Sequence, residues 1–172
     1  MNCLKIVGLL LIVAAGAVLG LLKSTEYSSR VRQLEAAVSF INHVSTHIRY
    51  SAAPVDAILE QAAGMEELQS LPFLAGCAKR CREGEAFPAA WKQSLEEHKR
   101  TLSLKTHDME VLHAFGTGLG TTDVEGQIAH CTLYTGLLNE ALQSARREKE
   151  TYGRLTVSLG VLAGIGTAVL LI

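Results

Sequence analysis

The sequence has 172 residues, of which 48% are hydrophobic and 19% are charged, and its formal net charge is −1 at pH 7. A near-neutral chain with dispersed basic residues excludes the strongly basic surface by which proteins bind nucleic acid. Four cysteines at spacings that suggest no disulfide framework predict a reducing compartment.

An uncharged apolar run occupies residues 6–22. As a helix it is about 26 Å long, at the short end of what crosses a bilayer. We expect an uncleaved membrane span, because the run is longer than a usual signal-peptide core and continues past the small residues at 14–17. A cleaved leader is the alternative, since Lys5 and the amino terminus supply the positive charge that such leaders carry.

The first predicted helix after this run has one apolar stripe. It also carries His43 and His47, four residues apart on one face, a spacing that can hold a metal ion. No third ligand lies nearby in the sequence, so we expect a solvated or partner-facing pair. The stripe consists of Val31, Leu34, Val38, Ile41 and Ile48.

Three short helices follow, and a proline stands near the start of each: Pro54, Pro72 and Pro88. Gly84 is expected to end the second of them. Cys77 and Cys81, together with His98, could be imagined as metal ligands. We expect buried thiols instead, because Cys77 and Cys81 are four residues apart, whereas the cysteines of zinc knuckles are three apart.

A glycine-rich stretch, GTGLGT at residues 116–121, follows the fourth helix of this part. It resembles a loop that holds a phosphate, but it lacks the lysine of a Walker loop and the preceding strand of a Rossmann loop. The predicted structure is therefore a helix stop and a helix start. Gly116 or Gly118 takes the left-handed conformation, Gly120 belongs to the same caps, and Thr122 with Glu125 forms a capping box.

The last helix begins near residue 123 and has no strong breaker before Gly153. It leads into a second uncharged apolar run at 155–172, about 27 Å long as a helix, which predicts a tail-type span. Lys and Arg are concentrated on the inner flanks of both runs, so the positive-inside rule places the middle of the chain in the cytoplasm. These flanking residues are Lys23, Arg30, Arg32, Arg146, Arg147, Lys149 and Arg154.

The predicted architecture is an all-α helical bundle of about six helices, in which two long antiparallel helices continue into the transmembrane spans. The expected segments are a span at 1–23, a cytoplasmic domain at 24–154 and a span at 155–172. Small residues four apart offer each span a face for close helix packing. They are Gly16, Gly20, Gly160 and Gly164.

The order of these features resembles the stage III sporulation protein AB family of endospore-forming bacteria, over essentially the whole chain. The most specific pieces are Gly84-Glu85-Ala86 with Trp91, and the segment LGTTD at 119–123 with Gln127. That family is in turn similar to the cytoplasmic helical domain of type II secretion F proteins, which are membrane platform proteins. F proteins repeat this domain and have three spans, whereas this sequence predicts one domain and two spans.

This resemblance implies a component of a channel-like complex between mother cell and forespore, in the mother-cell membrane around the forespore. The implied partners are other proteins of the stage III sporulation A complex, above all the cytoplasmic secretion-type ATPase, stage III sporulation protein AA. Membrane lipid is a further expected neighbour, a homo-oligomer is allowed, and neither a nucleic acid nor a small-molecule substrate is expected.

No serine, cysteine or lysine stands in a recognisable nucleophile context, so we expect a protein that is not an enzyme and needs no cofactor. A partner-binding surface is predicted at Arg80, Arg82, Glu83, Glu85 and Trp91, because Trp and Arg are common anchors of interfaces. A core position for Trp91 is the alternative. Two rival functions remain: a membrane-anchored nucleotide-binding regulator that uses GTGLGT, and an extracytoplasmic tail-anchored interaction module.

Overall fold

The computed structural model describes the backbone of residues 3–51 and 54–170. Side-chain surroundings are described for 22–51, 54–152 and a few positions beyond these ranges. The described residues form six α-helices and one 3-10 turn, with no strand, as the all-α prediction requires. The helices are α1 (Cys3–Ser51), α2 (Val55–Ala63), α3 (Phe73–Arg82), α4 (Phe87–His98), α5 (Thr106–Gly118) and α6 (Val124–Leu170), with the 3-10 turn at Glu66–Leu68.

The three prolines stand at helix starts. Pro54 and Pro72 directly precede α2 and α3, and Pro88 is the second residue of α4. Proline is tolerated there because the first N–H groups of a helix have no partner within the helix. The fourth predicted helix begins later than its apolar pattern suggested, since α5 starts at Thr106 and Leu102 lies buried in the preceding loop.

The chain divides into two compact units. The central unit is Arg32–Gln143, and the terminal unit combines Met1–Val31 with Ser144–Ile172. Both α1 and α6 contribute residues to each unit without a break in the helix.

Trp91 lies at the middle of the core of the central unit, with none of its surface exposed. Its ring lies 5.1 to 6.0 Å from four phenylalanine rings on α1, α3, α4 and α5. Its indole Nε1–H donates a hydrogen bond of 2.9 Å to the carbonyl oxygen of Leu112. The cluster joins four helices through one side chain, and its phenylalanines are Phe40, Phe73, Phe87 and Phe115.

Gly84 follows α3 with φ +94°, and Gly120 follows α5 with φ +81°. Both stand where a residue with a Cβ would be strained, which is why the turns use glycine. Gly116 and Gly118 differ from the prediction, because both are helical residues of α5 and Gly120 alone takes the left-handed conformation at this junction. Gly116 is needed for another reason, since a Cβ there would lie 2.2 Å from the indole of Trp91.

The predicted capping box of Thr122 and Glu125 is wrong by one residue. Asp123 precedes α6, and its Oδ1 accepts a hydrogen bond of 3.0 Å from the N–H of Gly126. Thr122 accepts instead from the side-chain amide of Gln127, while Glu125 is exposed. Aspartate is as good an N-cap residue as threonine, and its charge also suits the positive end of the helix dipole.

In the terminal unit, α1 and α6 contact each other through a buried ion pair and a pair of stacked rings. Arg30 Nη1 lies 2.9 Å from Glu148 Oε2, and the arginine side chain is 7% exposed. The rings of Tyr27 and Tyr152 stack with their centroids 6.3 Å apart. Residue numbers rise from Tyr27 to Arg30 along α1, while the numbers of their partners on α6 fall from Tyr152 to Glu148. The two helices are therefore antiparallel in this unit.

No helix segment among the described residues is both long and apolar enough to cross a membrane. Most side chains of the runs 6–22 and 155–172 lie outside the described set. The glycines predicted to pack the spans also lie outside the described set. The two membrane spans therefore stay predictions. These glycines are Gly16, Gly20, Gly160 and Gly164.

Candidate docking surface

The turn between α3 and α4 brings together four of the five residues predicted to bind a partner. Helix α3 buries Phe73, Leu74 and Cys77 on one face and leaves its last turn, with three basic residues, at the surface. At the end of the helix, the N–H groups of Gly84 and Glu85 donate to the carbonyl oxygens of Cys81 and Arg80, at 3.0 Å each. These bonds, with the positive φ of Gly84, turn the chain toward α4.

Arg80 holds this turn to α4. Its guanidinium lies 3.4 Å from a carboxylate oxygen of Glu85 and donates a 3.0 Å hydrogen bond to Gln93 Oε1. It also pairs with Glu97, one turn further along α4. The side chain is 24% exposed, so Arg80 acts mainly within the chain, as a link between α3, the turn and α4.

Arg82 and Glu83 remain at the surface, and each has a side chain that is 64% exposed. Arg82 Nε lies 3.7 Å from Glu60 on α2, and Glu83 lies 3.9 Å from Lys79 one turn back. Ion pairs this long and exposed contribute about 0 to 1 kcal/mol, so a partner could replace them at little cost. We call Lys79, Arg82, Glu83 and Glu60 the hairpin-tip surface.

The prediction that Trp91 faces a partner is wrong. Its side chain has no exposed surface, because the indole fills the space between α1, α3, α4 and α5. Its single polar atom is satisfied by Leu112, so the residue has no unused group to offer. The sequence could not separate the two roles, since a large aromatic residue serves either a core or an interface.

The GTGLGT stretch forms the junction between α5 and α6, and two of its N–H groups donate hydrogen bonds within the chain at this junction. The N–H of Leu119 donates to Phe115, and that of Gly120 donates to Gln127 Oε1 at 2.9 Å. His130 lies against Gly118 and contacts the carbonyl oxygen of Phe115 at 2.9 Å. With the carboxylate of Asp123 at the start of α6, the site resembles a capped junction more than an anion cradle.

The antiparallel contacts of the terminal unit set the register of α1 against α6. The numbers of the paired residues add to 178 or 179, from Arg30 with Glu148 and Tyr27 with Tyr152. Continued along both helices, this register brings Lys23 level with residue 155. The two apolar runs, 6–22 and 155–172, therefore begin at the same level of the helix pair.

The sequence profile of the stage III sporulation protein AB family matches residues 5–172. The chain belongs to this family. It is 29% identical over 163 residues to stage III sporulation protein AB of Bacillus subtilis (strain 168), an alignment that covers 94% of this chain and 95% of that protein. It also resembles a solved structure of a stage III sporulation protein AB, with a TM-score of 0.64 and 26% sequence identity, over 72% of this chain and 98% of that one.

In this member of the family, the cysteines described by the structure are free and buried or half-buried. Burial raises the pKa of Cys131 to about 11 and raises the pKa values of Cys77 and Cys81 as well. Thiols of this kind are rarely ionised at neutral pH, so they are poor nucleophiles and poor metal ligands. This agrees with their predicted role as small core residues.

The His43 and His47 rings lie with their centroids 4.4 Å apart on α1. Burial, and then the neighbouring His47, lower the pKa of His43, whose Nε2 is buried without a hydrogen-bond partner. His47 Nδ1 lies 3.2 Å from the hydroxyl of Ser51. Among the described residues, no group of three His, Cys, Asp or Glu side chains could hold a metal ion, and this includes the pair and the combination of Cys77, Cys81 and His98.

Two features of the structure were missed by sequence reasoning. The first is the ion pair of Arg30 with Glu148, whose partners are far apart in the chain and carry no local signal. The second is the double role of Gln127, which accepts from Gly120 and donates to Thr122 across the α5–α6 junction. In the sequence Gln127 stands out only as part of the resemblance, because its physical role depends on the fold of the loop.

Proposed function

We propose that this protein is a non-catalytic, membrane-anchored component of a secretion-like complex between mother cell and forespore, needed for endospore formation. It is held in the mother-cell membrane by two spans, with its central unit in the cytoplasm. It serves there as a platform or adaptor for a cytoplasmic secretion-type ATPase, stage III sporulation protein AA. Membership of the stage III sporulation protein AB family supports the connection to sporulation.

The observation that carries the anchoring is the common level at which the two apolar runs begin. Two paired helices such as α1 and α6 can enter the same bilayer together only if their polar-to-apolar boundaries coincide. The register of Arg30 with Glu148 and of Tyr27 with Tyr152 gives this coincidence to within one or two residues, or about 1.5 to 3 Å of helix.

The hairpin-tip surface is our candidate for the docking site. Arg80 fixes the turn from within, and Arg82 and Glu83 present opposite charges on its outside. Such a surface suits a partner with complementary charges, because rigid placement lowers the entropy lost on binding. Arg82 and Glu83 are the exposed members of the predicted partner-binding set, from which the buried Trp91 is now removed.

The nucleotide-binding alternative has less support. The N–H groups of Gly120 and Gly126 are bonded to Gln127 and Asp123, and the charge of Asp123 would repel a phosphate at the start of α6.

Labelling of one engineered thiol tests the anchoring and the orientation. Lys99 is exposed on the central unit, just after α4. In full-length protein with Cys3→Ser and Cys81→Ala, we expect Lys99→Cys to react with an impermeant maleimide from the cytoplasmic side of membrane vesicles only. Detergent-opened vesicles give the full extent of labelling as the control. Extraction of the protein by alkaline carbonate, or labelling from the opposite side, would overturn the proposal.

A further inference from the structure

The two units carry opposite charges. The central unit has nine basic and 14 acidic residues, a formal charge of −5. The terminal unit has seven basic and three acidic residues, a formal charge of +4. The overall charge of −1 is therefore the sum of a basic terminal unit and an acidic central unit.

The basic residues of the terminal unit are concentrated next to the level at which both apolar runs begin. By the register of the two helices, Lys23 is level with residue 155, and Lys149 and Arg146 lie six and nine residues before it on α6. These positions fall within about 14 Å along the helix axis. We call this band the basic collar; its members are Lys23, Arg146, Arg147, Lys149 and Arg154.

The side chains of the collar that the structure describes are exposed at Lys23, Arg146, Arg147 and Lys149. Arg30 lies at the same level but is buried in its ion pair with Glu148. The terminal unit contains only two further acidic residues, Glu26 and Glu150. Whatever contacts the collar makes within the unit, its five basic residues outnumber these carboxylates, and a surplus of positive charge remains.

An anionic surface that begins where the apolar runs begin would neutralise this surplus. The headgroup layer on each side of a bilayer is about 5 to 8 Å thick, and lysine and arginine side chains reach several ångströms beyond the helix. Basic residues close to a span are attracted by anionic lipids, and the attraction decays over the Debye length of about 8 to 10 Å. The collar therefore lies within reach of lipid phosphates.

We propose that the basic collar binds the headgroups of anionic phospholipids. The proposal rests on the membrane anchoring proposed above, and it adds a lipid class to it. Anionic lipid neutralises the collar, while the acidic central unit is repelled from the same surface. The membrane's own charge thus favours contact with the terminal unit over contact with the central unit.

The test uses the full chain in lipid nanodiscs of phosphatidylcholine alone or with about 30% phosphatidylglycerol, a content at which an anionic surface attracts nearby basic residues. Native mass spectrometry then counts the phosphatidylglycerol and phosphatidylcholine molecules that stay bound to the released protein. The test variant combines Arg147→Gln with Lys149→Gln. The matched control combines Lys92→Gln with Arg100→Gln, which removes the same charge from exposed positions of the central unit.

We expect the unaltered protein to retain phosphatidylglycerol in preference to phosphatidylcholine. This preference should fall about fivefold for each collar residue replaced and should not change in the control. Raising the salt concentration from 0.05 to about 0.5 M should weaken it, as screening requires.

The contrary outcomes distinguish failure of the membrane anchoring from failure of the lipid-binding collar. Protein recovered outside the nanodiscs overturns the anchoring and the collar together. Protein held in the nanodiscs without a preference, or with equal losses in test and control variants, overturns the collar alone. Displacement of the lipid by millimolar inorganic phosphate or by a short oligonucleotide would identify a site for free anions or nucleic acid instead.

Discussion

At the scale of single residues, the stability of the central unit depends on the close contact between the indole of Trp91 and α5. Its indole lies on Gly116, and the absence of a Cβ there lets Nε1 reach the carbonyl oxygen of Leu112 at 2.9 Å. Gly136, in the middle of α6, provides a contrast, because nothing lies within 4 Å of a Cβ added to it. One helical glycine is required by packing, and the other is not.

We expect Gly116→Ala to destabilise the protein by about 2 to 4 kcal/mol, because the indole must move and its hydrogen bond is lost. Gly136→Ala should instead stabilise it by about 0.5 to 1 kcal/mol, through the higher helix propensity of alanine. Thermal unfolding of the full chain in detergent, followed by the fluorescence of its one tryptophan, measures both. Equal effects of the two substitutions would contradict the close contact.

The buried thiols predict a loss of stability at alkaline pH. Burial raises the pKa of Cys131 from its ordinary value of 9.0 to about 11 in the folded chain. The folded state therefore favours the protonated thiol, and this contribution is present below about pH 9 and is lost as the pH rises toward 11. We expect Cys131→Ala to show a smaller fall in Tm over this range than the unaltered protein.

Ser94→Ala is the control for this comparison, since it alters another fully buried small side chain but removes no titrating group. Its hydroxyl has no hydrogen-bond partner, so its loss should be nearly neutral at every pH. If Cys131→Ala and Ser94→Ala give the same dependence of Tm on pH, the thiol does not contribute.

At the scale of helices, α1 and α6 are joined in the terminal unit by a largely buried ion pair as well as by a pair of stacked rings. The side chain of Arg30 is 7% exposed and that of Glu148 is 22% exposed. The exposed pair of Lys23 with Glu26, within α1, has side chains that are 56% and 59% exposed. Water screens the second pair much more than the first, so the two should differ in their contribution to stability.

We expect Glu148→Gln to destabilise the full chain by about 2 kcal/mol, because it leaves the charge of Arg30 buried without its carboxylate. The double variant with Arg30→Met and Glu148→Leu should recover most of that loss, since it buries no charge. Glu26→Gln, the matched control, should change stability by less than about 1 kcal/mol. Thermal unfolding measures all three variants, and equal shifts for Glu148→Gln and Glu26→Gln would contradict a structural role for the pair.

At the scale of the whole molecule, charge is separated along the chain, with a basic terminal unit and an acidic central unit. Under the anchoring proposed above, the acidic central unit is the part that would bind a cytoplasmic protein. Within the central unit, the hairpin-tip surface and the pair of Glu96 with Lys99 near the end of α4 have similar charges and similar exposure. Comparing these two sites separates docking at one place from attraction to the unit as a whole.

Reversing the charges at the hairpin tip, with Arg82→Glu and Glu83→Lys, should weaken binding to stage III sporulation protein AA at least about tenfold, or 1.4 kcal/mol. The matched reversal, Glu96→Lys with Lys99→Glu, should leave binding within about twofold, a change of less than 0.5 kcal/mol. Co-purification of each full-length variant with the ATPase from membranes measures this, and Tm values confirm folding. Equal binding by both variants would contradict docking at the hairpin tip, and no binding by the unaltered protein would contradict the adaptor role.

Much of the fold could be predicted from local signals. The periodic stripe of residues such as Leu34 and Ile41 predicted α1, and the prolines marked three helix starts, because both effects act within one or two turns. The predicted family is confirmed by its profile. The candidate site was harder to predict, because Arg80 and Arg82 cannot be distinguished by their sequence context. In the structure Arg80 links α3 to α4, whereas Arg82 faces outward.

The sequence by itself determined the helical class, the helix order and the family, because periodicity, capping residues and breakers are encoded by near neighbours in the chain. Only the tertiary structure decided that Trp91 belongs to the core, that Gly120 is the left-handed residue of its junction and that Arg30 pairs with Glu148. Each of these depends on groups from separate elements meeting at van der Waals or hydrogen-bond distance. Such meetings are set by the packing of whole helices, which no local pattern records.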